Sequence, residues 1–163
     1  MKSIKEEVNL DNKKILLRLD LNVPLVDNKI TDTTRIDKIL PTLEFLINQN
    51  TNIIIISHVG RPKGKVVSEL SLKLICEELS KKLDKNIKLV SKNIKEINSK
   101  ELFDDNDEKI IMLENIRFYP EEEKNDEQFA KHLATLADIY VNDAFSCSHR
   151  AHTSIHEITN FLP

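Results

Sequence analysis

Arginine is scarce in this chain, and its positions suggest that its geometry matters. Of the 24 basic residues only five are arginines, and the others are lysines. The arginines fall inside or just after strand-like apolar runs, or in a turn that enters a helix: Arg18, Arg35, Arg61, Arg117 and Arg150. A planar guanidinium pairs bidentately with carboxylate or phosphate, which an ammonium cannot do. The pattern therefore predicts a site for a small anion at one edge of a sheet.

Polar residues near the arginines favour the same kind of site. Asp20 and Asn22 lie two positions apart at the end of a strand-like run, so both side chains point the same way and could grip a hydroxyl group. The loop from His58 to Gly64 contains both glycines of the chain, and its exposed N–H groups could face an anion beside His58 and Arg61. Ordinary turn chemistry and surface charge are the alternative explanation in both places.

Each arginine also has a structural explanation when taken alone. Arg35 lies in the first turn of a predicted helix, where a cation opposes the helix dipole, so its position indicates a role other than helix stability. The alternative for Arg35 is a solvated arginine on the surface. Arg18 is expected to be the structural ion-pair partner of an acid. Arg61, Arg117 and Arg150 would repel one another on a single edge unless an anion neutralised them, and this favours the anion site.

A second kind of chemistry is open to residues near the end of the chain. Cys147, His149, His152 and His156 are possible Zn²⁺ ligands, and the last two would share a helix face. The run matches no named zinc spacing, so a Cys/His metal-binding module is kept only as an alternative. A Cys147–His149 nucleophile is less favoured, because no loop suited to an oxyanion hole is evident.

Length and composition indicate a single α/β domain. The chain has 163 residues, of which 40% are hydrophobic and 31% charged, which suits a globular protein with a sizeable core. A formal net charge of -3 argues against nucleic-acid binding and requires any positive site to be local. No signal-peptide pattern is present and the longest apolar run is far too short to span a membrane, so a cytoplasmic location with free thiols is expected.

The order of elements predicts a Rossmann-like parallel sheet with helices on both faces. The predicted strands are Lys14–Leu21, Asn52–Ser57, Ile87–Val90, Lys109–Leu113 and Asp138–Asn142. Helices are predicted at Arg35–Asn48, at Leu70–Leu83, from Asn125 or Asp126 onward and, shorter, after Ser91. The second strand is apolar at every position from Ile53 to Ile56, as is typical of a central strand buried on both faces. Ligands of such sheets bind beyond the carboxyl ends of the strands, where the polar clusters fall.

The helix that would carry Arg35 has two further local signals. Thr34, followed three residues later by Asp37, predicts an N-terminal capping pair. Pro41 lies inside the same helix and predicts a kink or a restart at that point.

Taken together, the motifs resemble those of phosphoglycerate kinase. The matching strings are RLDLNVPL at 18–25, ITDTTRI at 30–36, SHVGRPKG at 57–64, LENIRFYPEEEKND at 113–126 and LADIYVNDAFSCSHRAHTS at 136–154. Their order and spacing agree along the whole chain, with small departures at Ser146 and Thr153, where the family has Gly and Ala. The resemblance implies that residues 1–163 form the amino-terminal, 3-phosphoglycerate-binding domain and that the nucleotide-binding domain is absent.

The resemblance also implies roles for the site residues. Residues that match Asp20 and Asn22 hold the hydroxyl and carboxylate region of the glycerate. The residue that matches Arg35 reaches the carboxylate and steadies the phosphoryl group in flight, so Arg35 is predicted to be catalytic as well as substrate-binding. Four further residues match a basic patch around the 3-phosphate: His58, Arg61, Arg117 and Arg150. No ligand role is implied for Arg18.

The reaction that the resemblance implies is the glycolytic one, ATP + 3-phosphoglycerate = ADP + 1,3-bisphosphoglycerate. Mg-ATP is bound by the family's second domain, whose glycine-rich loops have no match here. The chain is therefore expected to bind 3-phosphoglycerate or 1,3-bisphosphoglycerate, to hold no cofactor or metal of its own, and to be inactive alone.

Expectations about partners follow from the same resemblance. No nucleic acid or membrane partner is expected, and the full enzyme is expected to be a monomer. Exposure of a face that a second domain would cover is expected to favour self-association of the isolated chain. A non-catalytic anion-binding domain is the remaining alternative.

Overall fold

A parallel sheet of five strands organises the part of the chain that the computed structural model describes, which comprises residues 9–103, 109–143 and 152–162. In chain order the strands are β1 (Lys14–Leu19), β2 (Leu25–Val26), β3 (Lys29–Ile30), β4 (Asn52–Ile56), β5 (Lys88–Val90), β6 (Ile110–Leu113) and β7 (Ile139–Asp143). The sheet has the order β5-β6-β4-β1-β7, and every pair in it is parallel. Strands β2 and β3 form a separate antiparallel hairpin, which the sequence pattern did not predict.

Helices connect these strands. They are α1 (Thr34–Asn48), α2 (Lys73–Leu83), α3 (Ser99–Phe103), α4 (Pro120–Glu123) and α5 (Glu127–Ala134). Shorter 3-10 turns lie at Ser68–Leu70, Ile94–Glu96, Ile116–Phe118 and Glu157–Asn160. The predicted strands and helices are confirmed, with small differences at their ends. The start of the predicted 70–83 helix is a 3-10 turn, and α2 itself begins at Lys73.

Both faces of the sheet are covered by apolar packing, as predicted. Alternation along β4 sends Ile53 and Ile55 into a core shared with α1 and α2, and sends Ile54 and Ile56 into a second core shared with α5. All four side chains are fully buried, and each contributes about 1.5–3 kcal/mol of transfer free energy. Strand β4 is the third of the five strands in the sheet, which confirms the prediction that it is a central strand.

The N-cap residue of α1 lies one position before the predicted one. Thr33, not Thr34, precedes the helix, and its Oγ1 donates to a carboxylate oxygen of Asp37 at 3.2 Å. The exposed amide of Thr34 donates instead to Asp32, at 2.9 Å. The predicted pairing of Thr34 with Asp37 is therefore wrong, because an aspartate before the helix already bonds the Thr34 amide.

Pro41 does not interrupt α1. The helix is continuous from Thr34 to Asn48 with Pro41 inside it, so the helix restart suggested by the sequence is wrong. The side chain of Pro41 is exposed, whereas the buried residues of α1, such as Ile39 and Leu43, lie on the opposite side. The missing N–H of proline therefore falls on the water-facing side of the helix, where its loss disturbs the core least.

In the described ranges, no helix combines the length and the apolar character needed to cross a lipid bilayer.

Candidate anion-binding site

A cavity of about 510 Å³ lies beyond the carboxyl ends of β1 and β4. The segment after β1 contributes Asn22 and Pro24 to its wall, the start of α1 contributes Asp32 and Arg35, and the loop after β4 contributes Gly60. This volume is within the range of small-molecule sites in proteins. The location is also the one at which open parallel sheets bind their ligands.

Three of the predicted site residues are in contact at this cavity. Nη1 of Arg35 donates to Oδ1 of Asp20 at 3.1 Å and to the backbone oxygen of Asn22 at 2.9 Å. Oδ1 of Asn22 accepts from the amide of Gly60 at 2.9 Å. These bonds tie the segment after β1, the first turn of α1 and the loop after β4 into one unit. Neither Nε nor Nη2 of Arg35 has a hydrogen-bond partner among the residues that the structure describes, so these donors remain for an anion.

Asp32 gives the cavity a negative charge beside Arg35. Its carboxylate accepts from the hydroxyl of Thr34 at 2.6 Å and from the Thr34 amide at 2.9 Å. These hydrogen bonds, the hydroxyl bond foremost, lower the pKa of Asp32 below its ordinary value. Since Asp32 is therefore ionised at neutral pH, a bound anion is expected to lie nearer to Arg35 than to Asp32.

His58 is buried at the end of β4, with only 2% of its surface exposed. Nη2 of Arg18 lies 2.9 Å from Nδ1 of His58. A guanidinium can only donate hydrogen bonds, so Nδ1 of His58 is the acceptor in this pair.

Arg18 is linked to the acid Glu122 through Ser154, and among the described residues it forms no direct ion pair of the kind that the sequence predicted. Its Nε donates to Oγ of Ser154 at 3.1 Å, and its Nη1 donates to the carbonyl of Leu19 at 2.8 Å. The hydroxyl of Ser154 donates to Oε2 of Glu122, and its amide donates to Oε1 of the same carboxylate at 2.7 Å. Burial raises the pKa of Glu122, while the nearby positive charge of Arg18 and the bonds from Ser154 act in the opposite direction.

The loop after β6 is fastened to the loop after β4. The amide of Gly64 donates to the carbonyl of Arg117 at 3.1 Å, and Nδ2 of Asn115 donates to the carbonyl of Val59 at 2.9 Å. Two predicted phosphate ligands thus belong to loops that are in contact. Arg117 is 6% exposed, whereas Arg61 is exposed to solvent.

The two glycines serve the packing of the loop after β4. Gly60 and Gly64 have φ of +66° and +75°, a region that favours glycine. The amide of Gly60 donates to Asn22 and that of Gly64 to Arg117. The expectation that these N–H groups face an anion is therefore wrong for both glycines, because both amides bond to the protein itself.

Arg150 lies outside the described residues, as do Cys147 and His149, so its assignment to the basic patch stays a prediction. The two described histidines of that run do not share a regular α-helix. The amide of His156 donates to the carbonyl of His152 at 2.7 Å, within turns that lead to the 3-10 turn beginning at Glu157. Among the described side chains, no three potential metal ligands converge, so no observation supports the metal-binding alternative.

Polar residues that the sequence did not single out, the buried Ser57 and the half-buried Glu114, hold the site loops in place. Ser57 donates from Oγ to the carbonyl of Leu19 at 2.7 Å and accepts from the amide of Leu21 at 3.2 Å, which joins the ends of β1 and β4. Glu114 accepts from the amide of Leu72 at 2.7 Å, just before α2. Ser57 and Glu114 directly follow β4 and β6, and polar residues at strand ends commonly bond neighbouring loops. Their positions were therefore the signal by which the sequence could have identified them.

The fold and the cavity define a class of protein: a parallel α/β domain with a partly cationic ligand site beyond the carboxyl ends of its strands. Residues 5–163 match the family model described as phosphoglycerate kinase. Because this match extends over nearly all of the sequence, the chain belongs to the phosphoglycerate kinase family. The resemblance carried by the sequence motifs is thereby confirmed.

Similar proteins agree in fold and in extent. The phosphoglycerate kinase of Wolbachia pipientis subsp. Culex pipiens (strain wPip) is 52% identical over 97% of this chain and 40% of its own length. That of Moorella thermoacetica is 44% identical over the same shares of the two chains. The solved structure of phosphoglycerate kinase from Coxiella burnetii has a TM-score of 0.86 and 36% identity, over 98% of this chain and 39% of that one. The present chain therefore spans about 40% of the length of the relatives it matches.

Proposed function

We propose that this chain binds 3-phosphoglycerate as the substrate-binding half of a phosphoglycerate kinase. The observation that carries this proposal is the cluster of Asp20, Asn22 and Arg35, which line or adjoin a ligand-sized cavity at the carboxyl edge of the sheet. The full reaction would be that of the family, ATP + 3-phosphoglycerate = ADP + 1,3-bisphosphoglycerate. A cytoplasmic location is inferred with it, since this is a glycolytic activity.

The proposed substrate has three polar groups, and each can be matched to side chains of the candidate site. Its carboxylate suits the two nitrogens of Arg35 that bond no described residue, and its hydroxyl suits Asp20 or Asn22. Its phosphate suits a basic patch, for which we propose the following side chains: His58, Arg61, Arg117 and Arg150. With the phosphate held at one end, the carboxylate would be fixed beside Arg35 at the other.

Arg35 is the residue to which we assign a catalytic role. The acceptor of the phosphoryl group is the carboxylate of the substrate, which is ionised at neutral pH and needs no general base. Phosphoryl transfer is accelerated mainly by positioning the reactants and by neutralising charge in a site shielded from water. A guanidinium beside the carboxylate supplies both effects.

Mg-ATP would be bound outside this chain in the full enzyme. In the part of the chain that the structure describes, the amides of Gly60 and Gly64 are bonded internally, and no three possible metal ligands converge. We therefore propose that the nucleotide is held by a second domain of the family, whose closure over the substrate would exclude water.

Calorimetric titration with 3-phosphoglycerate tests substrate binding. We expect the 163-residue chain to bind it, and we expect Arg35→Ala, Arg61→Ala and Arg150→Ala each to weaken binding by about 1–3 kcal/mol, the usual effect of losing a charged hydrogen bond. Lys109→Ala is the control, because Lys109 is an exposed cation at the opposite, amino edge of the sheet. Arginine variants that bind as tightly as this control would contradict the proposed site.

A coupled assay with ATP tests the proposal that this chain binds 3-phosphoglycerate and that a second domain binds the nucleotide. The chain alone is expected to give no turnover above a protein-free blank, because phosphoryl transfer requires both substrates in one closed site. Turnover that follows the concentration of the pure chain would show that the nucleotide also binds here.

A further inference from the structure

Arg18 and His58 form a buried pair that restricts where the histidine can carry its proton. Arg18 is 0% exposed and His58 is 2% exposed. Their contact joins Nη2 of Arg18 to Nδ1 of His58 at 2.9 Å. Every nitrogen of a guanidinium bears protons and none accepts a hydrogen bond, so Nδ1 of His58 must offer its lone pair. An imidazole that accepts through Nδ1 carries its single proton on Nε2.

Arg18 cannot easily turn away from this contact. Its other two nitrogens are bonded to Ser154 and to the carbonyl of Leu19, and Ser154 is anchored by two bonds to the buried carboxylate of Glu122. The guanidinium is thus held by β1, by the segment that contains Ser154, and indirectly by α4. A side chain fixed on three sides presents its remaining donor in a single direction.

We propose that Arg18 is a positioning residue that holds His58 as the neutral imidazole with the proton on Nε2. The inference rests on the proposed function for one point, namely that the ligand of His58 is the phosphate of 3-phosphoglycerate. Phosphate oxygens are acceptors, so the Nε2–H tautomer can bond them, whereas the other tautomer would direct a lone pair at them. Protonation of both ring nitrogens would set an N–H of His58 against an N–H of Arg18. His58 therefore supplies a hydrogen bond and no charge, and the positive charge for the phosphate must come from arginines.

Nuclear magnetic resonance of the ¹⁵N-histidine-labelled chain at pH 7 tests the tautomer directly. Two-bond ¹H–¹⁵N correlations distinguish a protonated ring nitrogen from a bare one, and the signals of His58 are identified by their loss in His58→Gln. We expect one protonated nitrogen, Nε2, and one bare nitrogen, Nδ1. A wild-type spectrum with the proton on Nδ1, or with protons on both nitrogens, would overturn the proposal without the need for any Arg18 variant.

The role of Arg18 is tested by removing its charge together with that of Glu122, the carboxylate to which Ser154 links it. Arg18→Met/Glu122→Gln removes the guanidinium that contacts His58 together with the buried carboxylate linked to it, and is expected to convert His58 into a mixture of tautomers or an imidazolium. Ser154→Ala is the matched control. It breaks the bridge to Glu122 but leaves the Arg18–His58 contact, so the Nε2–H tautomer should persist. The proposal fails if the double variant keeps the wild-type spectrum, or if Ser154→Ala loses it to the same extent.

Calorimetry on the same proteins distinguishes a failure of this inference from a failure of the proposed function. The Kd for 3-phosphoglycerate should rise about three- to tenfold in the double variant, the effect of losing one hydrogen bond, and should change little in Ser154→Ala. A wild-type chain that shows the Nε2–H tautomer but does not bind 3-phosphoglycerate would refute the proposed ligand and leave the Arg18 assignment intact. Binding with an unchanged Kd in the double variant would refute the assignment and leave the proposed function intact.

Discussion

Side chains of the candidate site form hydrogen bonds with one another as well as with backbone groups. Arg35 bonds Asp20 through one nitrogen and leaves two for a ligand, while Arg18 uses all three nitrogens within the protein. The same residue type thus has two different environments at the carboxyl edge of the sheet. Burial distinguishes them, because the side chain of Arg35 is 45% exposed and Arg18 is fully buried.

Gly64 is a residue at which a single methyl group should disturb the site loops. A Cβ there would lie 2.9 Å from Cα of Pro120, which is backbone, and φ is +75°. We expect Gly64→Ala to lower the free energy of unfolding by about 2–5 kcal/mol, since left-handed φ costs about 1–2 kcal/mol and overpacking about 1–3. Urea denaturation measures the loss.

Gly60→Ala is the matched control for that measurement. Its φ of +66° is similar, but the added Cβ would meet the end of the Leu70 side chain, at 2.6 Å, and not backbone. Because a leucine terminus can rotate away, the loss should be nearer to about 1–2 kcal/mol. A loss at Gly60 equal to or above that at Gly64 would contradict this account of the two loops.

At the scale of elements, α1 connects the site to the rest of the fold. Its first turn carries Arg35, its middle contains Pro41, and Asp37 joins it to α2 through Nζ of Lys82, 2.6 Å away. The helix therefore carries a proposed ligand-binding residue in its first turn and a proline in its middle. Pro41 and Asp37 can each be changed without altering a residue that lines the cavity.

Pro41→Ala is expected to stabilise the protein. The substitution restores a backbone N–H inside α1 and removes the ring that crowds the preceding turn, on an exposed side of the helix. The greater freedom of alanine in the unfolded chain offsets part of this gain, so we expect an increase of about 1–2 kcal/mol in the free energy of unfolding. Glu44→Ala, at another exposed position of α1, should change it far less. Thermal and urea denaturation should agree on the sign, and a loss of stability would show that the proline is needed.

The Asp37–Lys82 pair should make the α1–α2 contact sensitive to pH at both extremes. The hydrogen bond between them is the largest cause of the lowered pKa of Asp37 and of the raised pKa of Lys82. For Asp37 the stabilisation is present above the unfolded pKa, about 4, and is lost as pH falls through the folded value. For Lys82 it is complete below the unfolded pKa, about 10.4, and is lost as pH rises through the folded value.

Asp37→Asn is therefore expected to lower stability at pH 7 and to have a smaller effect at about pH 2, because the wild-type carboxylate loses its charge as the pH falls through its folded pKa. Glu44→Gln removes an exposed carboxylate from the same helix and serves as the control. Urea denaturation at the two pH values gives the comparison. An equal effect of Asp37→Asn at both would mean that the carboxylate acts through packing and not through its charge.

At the scale of the whole molecule, local patterns in the sequence predicted the sheet and its helices, because burial on both faces of β4 and the helical spacing of α1, α2 and α5 are local properties. The pairing of Arg18 with Ser154 could not be read from the sequence, since 136 positions separate them. The internal use of the Gly60 and Gly64 amides was missed for the same reason. Sequence thus predicted that Asp20, Asn22 and Arg35 lie at the carboxyl edge, but not which atoms bond to one another there.

Ligand binding at that edge should stabilise the whole fold if the proposed function is correct. At a 3-phosphoglycerate concentration of about 100 times Kd, linkage predicts a gain of about 2.7 kcal/mol, or a rise in Tm of roughly 5–10 °C for a domain of this size. Differential scanning calorimetry measures this shift. Lys109→Ala should retain it in full, because Lys109 lies at the opposite edge of the sheet.

Glycerol 3-phosphate, which lacks the carboxylate, identifies which end of the ligand Arg35 contacts. Arg35→Ala should reduce the stabilisation by 3-phosphoglycerate and leave that by glycerol 3-phosphate nearly unchanged, because only the former offers a carboxylate to the guanidinium. Arg61→Ala should reduce both, since both ligands carry the phosphate. If Arg35→Ala reduced the two shifts equally, Arg35 would belong to the phosphate end of the cavity, and its assignment as the catalytic residue beside the carboxylate would be wrong.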